Sequence, residues 1–376
     1  MSQGKSAIVI GAGIVGLATA RALTQKGFAV TVIERTEKAI GASVRNFGML
    51  WPVGQPDGLL YNRAIRSKEI WKDIADSIGL WYDDVGSLHV AHHADEWNVL
   101  QELNEAFIKS GRPVSLMQPR QILEKFKGVN GKGLLGGLYS ATETIVDPRD
   151  AIALIPVYLS KVYDVKFIWG KAVTQVTTGK VRMGSALLEA DVVCVCSGAD
   201  FETLYPEVFS GLSITKTKLQ MMRFVSDEPG YKMGVALCGG LSLIHYNSFK
   251  VAPSLNALKE RYEQDMAAYL KWGIHVMVSQ NDTLELTVGD SHEYGLSFDP
   301  FDKAFINEMV LQYLQQFAIT DQWKLTQSWH GVYPKMTKGQ TDVFLSPEKD
   351  VHILNGLGGA GMTLSFGFAE EMINSL

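Results

Sequence analysis

Five apolar or small residues, Ser6-Ala7-Ile8-Val9-Ile10, run straight into Gly11-Ala12-Gly13-Ile14-Val15-Gly16. A short β-branched run closed by glycine predicts a buried strand. The residues that follow, from Leu17, repeat apolar positions at helical spacing and stop at Gly27, which predicts a helix. A second apolar run over 28–34 predicts a strand ending on Glu34. Further along, 85–91 predicts a strand, and 94–111 a helix with Trp97, Leu100, Leu103 and Phe107 on one face. Between 216 and 290 come strand-like runs at 216–225, 234–238, 241–246, 274–280 and 282–290. Helices are predicted near 255–271 and 302–317. Around 186–199 a buried strand ends at Ser197-Gly198-Ala199. The last segment repeats the opening order: a strand from Val351 to Leu354, a loop with Gly356, Gly358, Gly359 and Gly361, then a helix. Met362, Leu364, Phe366, Phe368, Ala369 and Met372 are the candidate core residues of that helix.

The glycine spacing carries chemistry. In a strand–turn–helix, Gly11 makes the tight turn, Gly13 lets the backbone approach a pyrophosphate, and Gly16 lets the helix pack on the strand. Glu34, at the end of the next strand, suits a ribose 2′-hydroxyl and would repel a 2′-phosphate. Strand, glycine turn, helix, strand and acid within about thirty residues predict a dinucleotide grip, with Ile14, Val15 and Arg35 beside it. That motif alone does not separate NAD from FAD. The C-terminal glycine loop does favour one of them. A flat flavin ring gains negative charge on reduction, and a helix N-terminus against it is stabilising.

Composition narrows the classes. With 46% hydrophobic and 20% charged residues, the chain can bury a large core. A net charge of −5 opposes a nucleic-acid surface. Three cysteines, Cys194, Cys196 and Cys238, are too few for a disulfide framework, and the first two read as buried thiols in a strand. The glycines and Arg21 oppose a spanning helix or a signal segment at the start, so the expected location is cytoplasmic. His89, His92 and His93 have no acidic or cysteine partner at ligand spacing, so no metal site is expected.

Taken in order, these segments resemble the FAD-dependent amine and amino-acid oxidoreductases, the family of D-amino acid oxidase, glycine oxidase, sarcosine oxidase and D-amino acid dehydrogenase. Gly11, Gly13, Gly16 and Glu34 match its FAD grip, while Ser43, Asn46 and Gly48 match its flavin-side loop, with Met49 following. Residues 146–154 match the helix leading into the second half, and 170–176, with Val173, look like its adenine-side strand. Ser197 and Gly198 fall at the central strand's end, and Gly358, Gly359, Gly361, Met362 and Thr363 in the closing flavin loop. The resemblance implies an α/β fold: a Rossmann-like, glutathione-reductase-like FAD domain with an inserted α+β substrate domain on a mixed or antiparallel sheet. The expected pieces are 1–84, 144–213 and 326–376 for the FAD domain, and 85–143 with 214–325 for the substrate domain. It further implies non-covalent FAD, since no cysteine follows Cys238, and hydride transfer from the carbon bearing an amine. Oxygen or a quinone would be the final acceptor.

The substrate side departs from the family pattern. Amino-acid oxidases commonly hold a carboxylate with arginine in a Gly-x-Arg-Pro stretch; here Gly331 and Pro334 flank Tyr333. Tyrosine gives one hydrogen bond, not a bidentate fork. Arg45 stands where the flavin-side loop usually has a small residue. One reading pairs Arg45 with the FAD pyrophosphate or a surface acid. The other moves the anion clamp to Arg45, Tyr333, Lys335 and His330, a set suited to a three-oxygen dianion. Asn46 and His292 complete the candidate catalytic residues. Residues 43–55 also look like the family branch thought to oxidise aminophosphonates related to 2-aminoethylphosphonate. The expected substrate is a small anionic amine: an aminoalkylphosphonate or its N-methyl form. The alternatives are a glycine-, sarcosine- or D-amino-acid-type amine, an NAD-dependent dehydrogenase, a flavoprotein module of a tRNA-modifying system, and a flavin-bound protein without turnover.

Overall fold

In a computed structural model describing residues 4–376, the run Ser6–Ile10 lies inside a six-stranded sheet. It pairs in parallel with Ala29–Ile33 on one side and Val192–Val195 on the other. Lys166–Ile168 and Val351–Asn355 extend the parallel set outward, and Val343–Glu348 closes one edge antiparallel. Alternate residues of the central strand enter different cores, because neighbouring side chains point to opposite faces. Ala7 and Val9 pack with the helices Ile14–Gln25, Leu59–Ile78, Pro148–Tyr163 and Gly361–Asn374. Ile8 and Ile10 pack toward the antiparallel meander Gln175–Thr177, Lys180–Met183, Ala186–Glu189. A strand covered on both faces has to read as an uninterrupted apolar run, and this one does.

Helix ends follow local chemistry. The first helix stops where Gly27 takes φ +84°. Helix Pro148–Tyr163 starts on Asp147, whose carboxylate accepts the Arg149 N–H at 2.8 Å, with Pro148 at its first position. Helix Ala94–Lys109 begins at His93, with the Glu96 carboxylate accepting the His93 N–H at 3.1 Å.

The second sheet has nine strands, with Ile214–Ser226 paired along its length to Trp323–Met336. Its neighbours are antiparallel except Ala236–Cys238 beside Ser87–Ala91. The sheet is therefore mixed. Helices Ala94–Lys109, Leu255–Asp265 and Ala304–Phe317 pack on it through Leu100, Leu258 and Leu314. The six-stranded sheet takes strands only from the three pieces expected for the FAD domain. Strand Trp323–Met336 runs across the 325/326 division without a break, joining the two parts.

Three local expectations are corrected. Residues 241–246 are no strand: Gly240–Ile244 is a 3₁₀ turn, in which the Ser242 hydroxyl donates to the Gly239 carbonyl at 2.6 Å. Such a local bond competes with a ladder. The helix near 255–271 breaks at Met266 into Leu255–Asp265 and Ala267–Lys271. Of 170–176, only the end pairs, in Gln175–Thr177. Among the described residues, no helix is long and apolar enough to cross a membrane.

Candidate active site

One cavity of about 1140 Å³ runs from the N-terminal glycines to the second sheet, and both glycine loops line it. Gly11 has φ +101°, and a Cβ there would lie 2.4 Å from the Cys196 carbonyl oxygen. A Cβ on Gly16 would lie 1.8 Å from the Gly11 oxygen, so helix Ile14–Gln25 reaches the strand only without one. Glu34 lines the cavity, its carboxylate accepting from Ala12 N at 2.9 Å and Thr36 Oγ1 at 2.9 Å. Arg35 pairs with Asp200 across the same end at 2.7 Å. Ile14, Val15, Val173, Ser197 and Gly198 line the wall there, and the buried Ser197 hydroxyl has no partner among the described residues.

The flavin-side loop is held from within. Asn46 donates to the carbonyls of Ala42 and Ser43, each at 3.0 Å, and accepts from Gly48 N at 2.8 Å. Its amide thus braces the loop, and the residue also lines the cavity. Gly48 does not line the cavity. It lies behind the loop with φ +72°, where a Cβ would be 1.9 Å from the Val146 oxygen, so its cofactor contact is corrected. Ser43 accepts the Ile14 N–H at 2.9 Å, tying this loop to the first helix's N-terminus. Met49 lines the cavity. Trp51 N donates to Thr363 Oγ1 at 2.9 Å, which joins the loop to the C-terminal one.

Gly358, Gly359, Gly361, Met362 and Thr363 all line the cavity, at the N-terminus of helix Gly361–Asn374. A Cβ on Gly361 would sit 3.8 Å from Ile14 Cγ2, so the two helix N-termini from opposite ends of the chain meet at one ligand space. Two positive dipole ends and backbone without side chains suit a pyrophosphate and a flat ring. The residues present fit FAD.

Above that loop stand Tyr333 and Lys335, on strand Trp323–Met336. A Cβ at Gly359 would be 3.5 Å from the Tyr333 hydroxyl. Burial holds that phenol well above its ordinary range, so it is a donor. The Lys335 ammonium is 3.2 Å from the Tyr294 hydroxyl. Arg45 lines the cavity too, and its Nη1 donates to the His330 carbonyl at 3.1 Å. The His330 ring does not join them. It turns to Asp302, Nδ1 to Oδ1 at 2.8 Å, and lies outside the cavity, because alternate strand residues face opposite ways. Its expected place in the clamp is corrected.

His292 is buried on the cavity wall with company that was not foreseen: His245, Tyr246, His275 and Asp290. His245 is deep yet open to the cavity, and its ring stacks on His275 at 3.7 Å between centroids. His275 and Asp290 exchange backbone hydrogen bonds at 3.3 and 2.9 Å, extending the ladder of Met277–Gln280 with Leu286–Gly289. That pair is one residue out of step with the ladder, where Met277 faces Gly289, so strand register alone does not predict it. Burial lowers His292 to about 4, drives His245 and His275 well below the usual histidine range, and pushes Asp290 well above the usual carboxyl range. By contrast, His89 is buried elsewhere, His92 faces the Asn130 carbonyl at 3.2 Å, and His93 precedes a helix.

A family model described as FAD dependent oxidoreductase matches residues 6–375. The D-amino acid dehydrogenase 3 of Mesorhizobium japonicum is 25% identical over 245 residues, covering 51% of this chain and 57% of that relative. The match thus spans little more than half of that relative's length. Among solved structures, L-proline dehydrogenase from P. horikoshii superposes with a TM-score of 0.79 at 19% identity, covering 100% of this chain and 93% of the other. Glycine oxidase from Geobacillus kaustophilus gives 0.79 at 17% identity, covering 99% and 94%. Iminodiacetate oxidase from Chelativorans sp. BNC1 gives 0.75 at 17%, covering 98% and 95%. With the family match running almost end to end, the chain belongs to the FAD-dependent oxidoreductases of the D-amino acid oxidase type.

Proposed function

We propose that this enzyme oxidises a small amine bearing a phosphonate, such as 2-aminoethylphosphonate or its N-methyl form, at the carbon next to nitrogen. The observation that carries this reading is the wall facing the C-terminal glycine loop. Tyr333, Lys335 and Arg45 line it together, and no arginine occupies position 333. A phenol, an ammonium and a guanidinium lining one wall suit a tetrahedral dianion better than a planar carboxylate.

FAD, when bound non-covalently, supplies the hydride acceptor. The chain's part is placement and charge. Tyr333 donates one hydrogen bond to an oxyanion oxygen, Lys335 supplies compact positive charge, and Arg45 is held toward the site from the flavin-side loop. Phe47, Leu219, Met221 and Met277 line the same space, exclude water and favour the uncharged amine. Water then splits the resulting imine to an aldehyde and an amine or ammonia.

A carboxylate-bearing secondary amine is the second reading, favoured by the likeness to an iminodiacetate oxidase and a glycine oxidase. The two separate by non-reacting analogues. Ethylphosphonate should perturb the bound flavin's visible spectrum at lower concentration than propionate does. Tighter propionate binding would count against the phosphonate. We also take the location to be cytoplasmic and oxygen or a quinone to be the acceptor.

A further inference from the structure

On the cavity wall, three imidazoles and a carboxyl group present more lone pairs than the protein answers. One ring nitrogen from each of His245, His275 and His292 falls in a set lying within 4.8 Å of one another. His292 Nδ1 is 3.0 Å from the Gly273 carbonyl oxygen. A carbonyl only accepts, so Nδ1 carries the hydrogen and Nε2 presents a bare lone pair. That nitrogen stands 3.9 Å from Asp290 Oδ2. An imidazole tethered through its other N–H to a backbone carbonyl is how proteins orient a metal ligand.

His275 repeats the situation. Its Nε2 lies 3.0 Å from Asp290 Oδ1, but the angle makes no hydrogen bond. Neither His275 nitrogen, nor Asp290 Oδ1, has a partner among the described residues. His275 is only 4% exposed and Asp290 6%. Buried polar atoms without partners are destabilising, and one ion shared among them would answer their lone pairs.

We propose that His245, His275, His292 and Asp290 bind one divalent transition-metal ion of the zinc class on the substrate side of the cavity. Three imidazoles and one carboxylate form a nitrogen-rich, borderline-soft set, which suits zinc, cobalt or nickel and not magnesium or calcium. Zinc–nitrogen bonds of about 2.0–2.1 Å require the three ring nitrogens, up to 4.8 Å apart, and the Asp290 carboxylate outside that set to draw together. His245, open to the cavity, is free to make that turn. The ion then faces the space where the substrate's anion is placed, with Lys335 lining the same cavity. A phosphonate oxyanion bridging ion and ammonium relieves their mutual repulsion. This role for the ion rests on the substrate reading above; its binding does not.

The test uses tag-free, FAD-loaded protein without substrate. It is treated with chelator, re-equilibrated with zinc or cobalt, desalted, and assayed for metal by mass spectrometry. The wild type should retain about one ion per chain, and the cobalt form should show ligand-field bands beyond the flavin absorption. His275→Ala and His292→Gln should each lose most of that metal while keeping the bound-flavin spectrum, which reports folding; either variant suffices if the other fails to fold. Wild-type protein holding no more metal than its chelated control, or full retention in the folded variants, overturns the site. If one ion binds and phosphonates still fail to reduce the flavin, only the substrate reading falls.

Discussion

Arg45 Nη1 donates to the carbonyl oxygen of His330 at 3.1 Å, while the His330 ring points the other way, to Asp302 at 2.8 Å. One residue therefore ties the flavin-side loop to the strand that carries Tyr333 and Lys335, and keeps its guanidinium at the cavity. Arg45→Ala removes a charged donor worth about 1.5–3 kcal/mol, so KM for an aminophosphonate should rise roughly ten- to a hundredfold. The value of kcat should change much less, as for any contact held from binding through the transition state. Steady-state kinetics checks the split; an unchanged KM would place Arg45 with the FAD instead.

The proposed clamp gives Tyr333 a part in specificity. Its hydroxyl stays protonated well past neutral pH because burial disfavours the phenolate. Tyr333→Phe should raise KM for the phosphonate about threefold to tenfold, the weight of one neutral hydrogen bond. The wild type should turn over D-alanine and glycine poorly, since nothing at position 333 offers a carboxylate fork. Comparing kcat/KM for these amino acids and the phosphonates checks both.

Gly16 tests the grip. A Cβ there would meet the Gly11 oxygen at 1.8 Å, backbone against backbone, with no side chain free to yield. Gly16→Ala should therefore give protein with little bound flavin, read from the ratio of visible to ultraviolet absorbance. Gly27→Ala, where nothing lies within 4 Å but φ is +84°, should lose stability and keep FAD.

Asp84 sets a pH signature of stability. Burial acts to raise its carboxyl, but hydrogen bonds from Lys72 and Thr144, with the Lys68 charge, together outweigh it and hold the group down at about 2. A depressed acid contributes fully above its unfolded value of about 3.9 and loses that contribution as pH falls toward 2. Its side chain is 39% exposed, so solvent limits the effect to less than about 1 kcal/mol. Asp84→Asn should lower the thermal midpoint equally at pH 7 and pH 5, and the gap to wild type should close below pH 4. A constant gap down to pH 2 would mean another group is responsible.

The FAD half was legible because each of its requirements is local. Gly11, Gly16 and Glu34 sit a fixed distance from strands that read as strands, and the meeting of Gly361 with the first helix's N-terminus, where an added Cβ would lie 3.8 Å from Ile14 Cγ2, needed only the second glycine loop to be noticed. The substrate wall was less so. His245 hid in a run that looked like a strand but turns at Ser242, and His275 meets Asp290 only through pairing across a hairpin. Strand polarity misled at His330: the residue is in the right stretch, yet the pleat sends its ring outward and Tyr333 inward. Periodicity gives two faces, but not which of them a distant loop will cover.

The most direct measurement is anaerobic mixing of the FAD-loaded protein with 2-aminoethylphosphonate, its N-methyl derivative, sarcosine, glycine and D-alanine, following the visible flavin band. Oxidation of a phosphonate-bearing amine should bleach that band rapidly with one or both phosphonates, and slowly or not at all with the carboxylates. Bleaching by the carboxylates alone would contradict the proposed substrate and favour the amino-acid reading of this cavity.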